Sequence, residues 1–166
     1  LSKRLLKKDL IYADVKITEN YDQIIKKYGN KIKNKIHHVT ATTHIIDLTL
    51  FLFGKLIVKN LKVIKSKKNN CKSVFANCVN KNNTFINISI FNQNPSKTGI
   101  TCYFKDGTTW DLSPIEVLSV YDKYNITYNK KNKLSLYQPN LLKKFYEKDK
   151  EYKLGFFHLV VLLHHN

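Results

Sequence analysis

The stretch from Thr42 to Gly54 constrains the fold more than any other part of the chain, because it is apolar on almost every side. Thr42 or Thr43 suits the N-cap of a helix, and Gly54 suits the left-handed position that follows a last helical turn. The large apolar side chains between these ends are Ile45, Ile46, Leu48, Leu50, Phe51, Leu52 and Phe53. The stretch therefore predicts a short helix covered by protein on most sides. It is too short to span a bilayer.

His44 and Asp47 are the titratable residues of this predicted helix. They are three residues apart, so they share one face of its first turn. In a structural interpretation, Asp47 favours the positive end of the helix dipole and His44 is a buried, hydrogen-bonded polar residue. In a functional interpretation, His44 faces a cleft and acts as a general acid or base near neutral pH. These residues alone leave both interpretations open.

After Gly54 the sequence changes to an alternation with a period of two, which is typical of strands. The predicted strands are residues 10–18, 56–64, 74–80, 84–91 and 99–105, with a last strand or hairpin edge over 124–137 that is interrupted at 129–133. Hairpin turns are predicted at 81–83 and at Asp106-Gly107. The fold class that follows is α+β: an antiparallel meander forming a largely antiparallel open sheet, with helices packed on one face. Residues 1–166 are expected to form one domain, with 1–35 as a lead-in strand and helix and 36–166 as the core.

Local signals predict four more helices. Apolar residues recur at helical spacing over residues 20–28, and Gly29 suits the end of that helix. Ser113, Pro114 and Glu116 form a capping box, which predicts that a helix begins at Pro114. A short basic helix is predicted after Pro139, and a terminal helix over 155–165 that is too apolar for an isolated surface helix.

The formal net charge of +17 would attract nucleic acid or an acidic membrane. However, the lysines are scattered and Arg4 is the only arginine, so composition argues against a nucleic-acid partner. The sequence has no apolar run of about 18 residues, so no membrane helix is predicted. The N-terminus lacks the apolar region of a signal peptide. We therefore expect a cytoplasmic chain that does not contact membranes.

Cysteine usage predicts reduced thiols and no metal. Cys71, Cys78 and Cys102 are an odd number without the paired spacing of a zinc site. Cys78 and Cys102 fall in predicted strands and are expected in the core, whereas Cys71 lies among Lys and Asn and is expected at the surface.

Three motifs in order resemble the C-terminal domain of the Gfo/Idh/MocA oxidoreductases, the family of glucose-fructose oxidoreductase and inositol dehydrogenase. His44 to Gly54 is similar to the family's H-x-I-D-L-x-x-x-L-x-G segment. Phe104 to Glu116 is similar to a segment of the family that consists of a strand, a tight turn, a second strand and an L-S-P-x-E sequence. Tyr152 to Phe157 is similar to the K-P-G-F sequence that opens its last helix. The resemblance covers most of residues 36–157.

The resemblance implies one half of a two-domain enzyme. It assigns His44 as the catalytic histidine, Thr40 and Thr43 as substrate-binding residues, and Asp47 as a structural acid. Thr40 stands where the family usually has an aspartate, in a D-x-x-x-H pattern, and threonine cannot act as a carboxylate base. No two of the five glycines are close enough for the fingerprint of a Rossmann domain, and the family's E-K-P lysine is absent. We therefore expect no cofactor-binding residue in this chain, with NAD or NADP bound by the other half.

Two functions follow as expectations. The first is the substrate-binding half of an NAD(P)-dependent oxidoreductase acting on a sugar or polyol, inactive alone. The alternative is a non-catalytic dimerisation module, or a remnant of such an enzyme. For either function a homo-oligomer through the open face of the sheet is expected, because helices on one side leave the other side partly apolar.

Overall fold

The computed structural model describes residues 10–29, 41–65, 72–92, 97–129, 131 and 133–146. The helices are α1 (Tyr21–Tyr28) and α2 (Ala41–Phe53). The strands are β1 (Leu10–Glu19), β2 (Leu56–Lys65), β3 (Lys72–Asn80), β4 (Phe85–Asn92), β5 (Gly99–Phe104), β6 (Thr109–Leu112), β7 (Val117–Asn129) and β8 (Leu134–Tyr146). The strands form an open sheet in the order β2-β3-β4-β1-β5-β6-β7-β8.

The sheet is mixed because of the position of β1, although most pairs of neighbouring strands in the sheet are antiparallel. β1 lies between β4 and β5, parallel to β4 and antiparallel to β5. The predicted meander is therefore interrupted at its centre. Ala13, Val15 and Ile17 are fully buried on this strand, and a central position gives their apolar side chains cover from both neighbouring strands.

Local patterning located several elements correctly. The strands predicted over 10–18, 56–64, 74–80, 84–91 and 99–105 are confirmed as β1 to β5, and the edge predicted over 124–137 is the β7–β8 hairpin. The helix predicted over 20–28 is confirmed as α1, and Gly29 follows it with φ of 79°. The turn at Asp106-Gly107 is confirmed too: Thr108 N donates to Asp106 Oδ1 at 3.0 Å and Gly107 has φ of 80°.

Two predicted helices are wrong. Residues 113–116 form only a turn, in which Val117 N donates to the Pro114 carbonyl at 2.9 Å, and β7 then begins. Pairing with β6 outweighs the capping signal, because it buries Leu118 opposite Leu112. The helix predicted after Pro139 is strand β8, an edge strand that pairs only with β7 among the described residues. An edge strand tolerates proline because one row of its N–H groups has no ladder partner. The terminal helix predicted over 155–165 lies outside the described residues.

The core lies between α2 and the face of the sheet on which α2 packs. Ile45, Leu48 and Phe53 of α2 join a cluster of buried strand residues that includes Ala13, Val15, Ile86, Ile88 and Cys102. Cys78 and Cys102 are buried free thiols, as predicted. Burial, with a smaller effect of Asp111, raises the pKa of Cys102 to about 12, so this thiol stays protonated at neutral pH.

The face opposite α2, here called the outer face, mixes aromatic and polar side chains. Tyr12 and Tyr103 lie with ring centroids 5.6 Å apart, and Phe75 meets Phe91 edge to face at 5.4 Å. Phe85 is exposed, whereas Ile86 and Ile88 are buried on the α2 side. This alternation agrees with the period of two from which a strand was predicted over 84–91.

Candidate functional site

The N-terminal end of α2 is held by a residue from another element. Thr42 N donates to Glu19 Oε1 at 2.6 Å, and Thr42 Oγ1 donates to the same oxygen at 2.8 Å. Both residues are buried. The other carboxylate oxygen, Oε2, is buried and has no hydrogen-bond partner among the described residues. A carboxylate at this position is favourable because it satisfies a first-turn N–H and faces the positive end of the helix dipole.

The prediction that Thr42 or Thr43 is the N-cap is therefore wrong. α2 begins at Ala41, so both threonines lie in its first turn, and the hydroxyl of Thr42 donates instead of accepting. Glu19 was missed because it is distant in sequence. One signal was present, since Glu19 follows Val15 and Ile17 on the buried face of β1, and a buried carboxylate requires a partner.

The C-terminal end of α2 is fixed by two bonds. Gly54 N donates to the Leu50 carbonyl at 2.8 Å with Gly54 at φ of 74°, which confirms the predicted glycine end. Asn80 Nδ2 donates to the Phe53 carbonyl at 3.3 Å. Asn80 Oδ1 accepts from Asn82 N and Thr84 N in the β3–β4 turn. The helix is therefore attached to the sheet at both ends, which makes it a rigid base for any site that it carries.

His44 and Asp47 are both exposed, on the side of α2 that faces away from the sheet. Thr43 beside them is partly buried, and Thr40 lies outside the described residues. The interpretation of His44 as a buried polar residue is thus wrong. The prediction that Asp47 lies in the first turn is wrong too, because α2 begins at Ala41 and its first turn holds no acidic residue. Exposure agrees with a histidine that can reach a substrate. The catalytic role of His44, the substrate-binding roles of Thr40 and Thr43 and the structural role of Asp47 stay predictions.

An exposed strip continues from His44 along α2. Leu50 is 43% exposed and Phe51 is 56% exposed, and both lie on the side that carries His44 and Asp47. The helix is therefore covered on its sheet side only, within the part of the chain that the structure describes, and not on most sides as its composition predicted. An apolar strip beside an exposed histidine is typical of a surface that meets another protein unit.

The outer face holds a second set of polar groups that sequence reasoning missed. Asn87 Nδ2 donates to Asp14 Oδ1 at 2.8 Å, and Thr101 Oγ1 donates to Asp111 Oδ1 at 3.0 Å. Burial raises the pKa of Asp111, while the Thr101 hydrogen bond and Lys97 lower it by less. These groups come from several strands, so no local spacing connects them. Their sequence signals are the polar alternation of β1 from Tyr12 to Thr18 and the alternation of β4, which places Asn87 on the face opposite Ile86.

The described residues show neither a metal-binding cluster nor a helix suited to a membrane. Among residues 10–29, 41–65, 72–92, 97–129, 131 and 133–146, no group of three His, Cys, Asp or Glu side chains is arranged to hold a metal ion. Neither helix in that part of the chain is long and apolar enough to cross a membrane.

Fold and site together define an α+β domain built on an open mixed sheet, with one helix that presents a histidine. No family model matches the chain, and no curated protein matches it. A solved structure with a similar arrangement is a dehydrogenase (MviM) from Clostridium difficile, with 12% sequence identity and a TM-score of 0.47. The match covers 84% of this chain and 43% of that chain, so the chain spans less than half of that protein. A likeness of this strength assigns neither a family nor an activity.

Proposed function

We propose that the chain is the substrate-binding half of an NAD(P)-dependent oxidoreductase that acts on a sugar or polyol, inactive without the half that binds the cofactor. The observation that carries the proposal is the exposure of His44 in the first turn of α2, a helix attached to the sheet at both ends. The motifs that resemble the Gfo/Idh/MocA oxidoreductases support it. In that family the corresponding histidine faces the cofactor domain.

The glycines of the described residues support the assignment of the dinucleotide to the other half. Gly29, Gly54, Gly99 and Gly107 are isolated from one another in the described part, and none belongs to a glycine-rich turn between a strand and a helix. We therefore assign NAD or NADP to the other half, where the nicotinamide would accept or donate the hydride. The exposed Leu50 and Phe51 beside His44 suit a surface on which that half docks.

The chemistry left to this chain is proton transfer and orientation. Oxidation of a hydroxyl to a carbonyl releases the hydroxyl proton, and an imidazole is a suitable acceptor near neutral pH. His44 takes this proton in the proposal. The hydroxyl of Thr43, and that of Thr40, would hydrogen-bond other hydroxyl groups of the substrate. Asp47 stabilises the helix instead of taking part in the reaction.

A second candidate function is a non-catalytic module that associates through its sheet. The exposed aromatic side chains Phe85, Tyr103 and Tyr124 favour it, since residues of this kind are enriched where proteins meet. This function needs neither His44 nor a cofactor. The two candidate functions differ in whether the rest of the reading frame encodes a half that binds the cofactor.

Calorimetric titration with NADH and NADPH tests the proposal that the cofactor binds to the other half. The 166-residue chain should bind neither dinucleotide, whereas the product of the entire reading frame should bind one of them with micromolar affinity. Binding to the 166-residue chain would contradict the assignment of the cofactor to the other half. Failure of the entire product to bind either dinucleotide would favour the non-catalytic module.

A further inference from the structure

Glu19 contacts the first turn of α2 from another element. It is the last residue of β1, and 23 positions separate it from Thr42 in the chain. Its Oε1 atom accepts from Thr42 N at 2.6 Å and from Thr42 Oγ1 at 2.8 Å. His44 belongs to the same first turn, two residues after Thr42. The backbone that carries His44 is therefore held by a carboxylate of a different strand.

The first turn of a helix depends on an acceptor of this kind. Its N–H groups have no partner within the helix, so an end without an acceptor frays. The first turn of α2 contains no acidic residue of its own, and Glu19 supplies the negative charge that favours this end. β1 pairs with β4 on one side and with β5 on the other, and Val15 and Ile17 are fully buried on it. The acceptor is thus fixed to the interior of the sheet.

The burial of Glu19 argues for a role beyond stability. The residue is 7% exposed, and its Oε2 atom has no hydrogen-bond partner among the described residues. An unpaired carboxylate oxygen in the interior disfavours folding, whereas a serine or threonine cap satisfies a first-turn N–H without this cost. A buried polar atom without a partner is uncommon in proteins and requires an explanation, such as a role in a site.

We infer that Glu19 is a positioning residue for His44, an inference that rests on the function proposed above. The buried carboxylate does not touch the substrate. It acts through Thr42 and holds the first turn where the imidazole of His44 meets the hydroxyl proton. Proton transfer requires heavy atoms about 2.6–3.2 Å apart, and a displacement of about 1 Å lowers a rate about a hundredfold. A first turn that frays would therefore reduce catalysis although His44 itself is intact.

Turnover of the entire reading-frame product with NAD or NADP and a sugar or polyol tests the inference. Glu19→Ala should lower kcat at least about tenfold, because His44 is no longer held in place. The KM for the dinucleotide should stay within about twofold of the wild-type value, since the cofactor is assigned to the other half. Glu19→Gln keeps an oxygen that can accept both hydrogen bonds from Thr42, and should restore kcat to within about threefold of wild type.

Leu118→Ala is the control for a general loss of stability. Leu118 is 3% exposed and packs with Leu112 in a small cluster, apart from the larger one that contains Ile45 and Leu48 of α2. Its truncation leaves a cavity, so thermal stability should fall at least as much as in Glu19→Ala. The kcat of Leu118→Ala should nevertheless stay within about twofold of wild type, because distant sites act independently. All variants are assayed at a temperature at which circular dichroism shows them folded.

Amide hydrogen exchange measures the hydrogen bond itself in the 166-residue chain. In Glu19→Ala the Thr42 amide should exchange at least about tenfold faster relative to the Gly54 amide, because only the first turn loses its acceptor. The Gly54 amide is a suitable reference, since its bond to the Leu50 carbonyl closes the other end of α2. Leu118→Ala should leave the ratio of the two exchange rates unchanged.

Three results would overturn the positioning role and leave the proposed function intact. The first is wild-type kcat in Glu19→Ala, or an unchanged exchange ratio in that variant. The second is an equal loss of kcat in Leu118→Ala, which would show an effect of stability alone. The third is a loss in Glu19→Gln as large as in Glu19→Ala, which would assign the effect to charge. A wild-type product without turnover would instead contradict the proposed function, and the positioning role with it.

Discussion

At the residue scale, partial burial of the Asp111 carboxylate on the outer face affects both its pKa and the stability of the fold. Its side chain is partly buried, and Thr101 Oγ1 donates to its Oδ1 at 3.0 Å. Burial has the largest effect and raises the pKa, against smaller opposing effects of Thr101 and Lys97. A carboxyl group whose pKa is higher in the folded state than in the unfolded state favours folding when protonated. This contribution is lost as the pH rises through the folded-state pKa. Ionised Asp111 therefore reduces stability at neutral pH.

Asp111→Asn should raise the free energy of unfolding at neutral pH, since asparagine keeps an oxygen for Thr101 and carries no charge to desolvate. The gain should disappear below the ordinary pKa of 3.8. Denaturant unfolding on both sides of that pH measures the difference. Asp122→Asn is the control, because the Asn140 hydrogen bond lowers the pKa of Asp122. That variant should not be stabilised at neutral pH. A lower stability of Asp111→Asn at neutral pH would contradict the argument.

At the scale of elements, the sequence predicted what depends on neighbours in the chain. Period-two alternation located β1 to β5, and Gly54 correctly marked the end of α2. The capping box at Ser113 and the basic stretch after Pro139 predicted helices where β7 and β8 form. For β7, cross-strand burial of Leu118 outweighs the local preference. For β8, pairing with β7 sets the strand although its side chains are mostly exposed. The insertion of β1 between β4 and β5 has no local signal. The same is true of the bond from Glu19 to Thr42 and of the hydrogen bond from Thr101 to Asp111 on the outer face.

The bond between Glu19 and Thr42 should be visible in a double-mutant cycle. Glu19→Ala leaves a buried N–H and a buried hydroxyl without their acceptor, and we expect it to lower the free energy of unfolding by about 2–4 kcal/mol. Thr42→Val removes only the hydroxyl and should cost about 1 kcal/mol. In the Glu19→Ala background the same change should cost much less, which gives a coupling free energy near 1 kcal/mol.

Glu116→Ala is the matched control for this cycle, because Glu116 is exposed in the turn before β7. Its free energy of unfolding should differ from that of the wild type by less than about 0.5 kcal/mol. Strict additivity of Glu19→Ala and Thr42→Val would show that the two side chains do not stabilise each other.

At the scale of the whole molecule, two of the exposed surfaces in the described part of the chain bear on the expected partners. One is the strip on α2 beside His44, and the other is the outer face with Phe85 and Tyr103. The sequence predicted a partly apolar outer face, because the strand over 84–91 alternates. It did not predict the exposed strip on α2, because a helix that is apolar on nearly all sides was expected to be covered. It could not decide which surface meets which partner, since exposure shows only that a partner is possible.

Self-association through the outer face is the expected use of the second surface. Sedimentation at several concentrations and at high salt, which screens the charge of +17, should show a dimer or a larger species. Phe85→Lys should raise the dissociation constant at least about tenfold, because it places a charge in an apolar contact. Phe51→Lys is the matched control, since Phe51 is 56% exposed and Phe85 is 54% exposed. A monomer at all concentrations, or dissociation caused by Phe51→Lys, would contradict this assignment.

The proton-transfer role of His44 is the central claim, and turnover of the entire reading-frame product with NAD or NADP and a sugar or polyol tests it most directly. His44→Asn should lower turnover by about two to four orders of magnitude while leaving the circular dichroism spectrum unchanged. Asp47→Asn should retain turnover, because the proposal gives Asp47 no part in the proton transfer. Full turnover of His44→Asn would contradict the account.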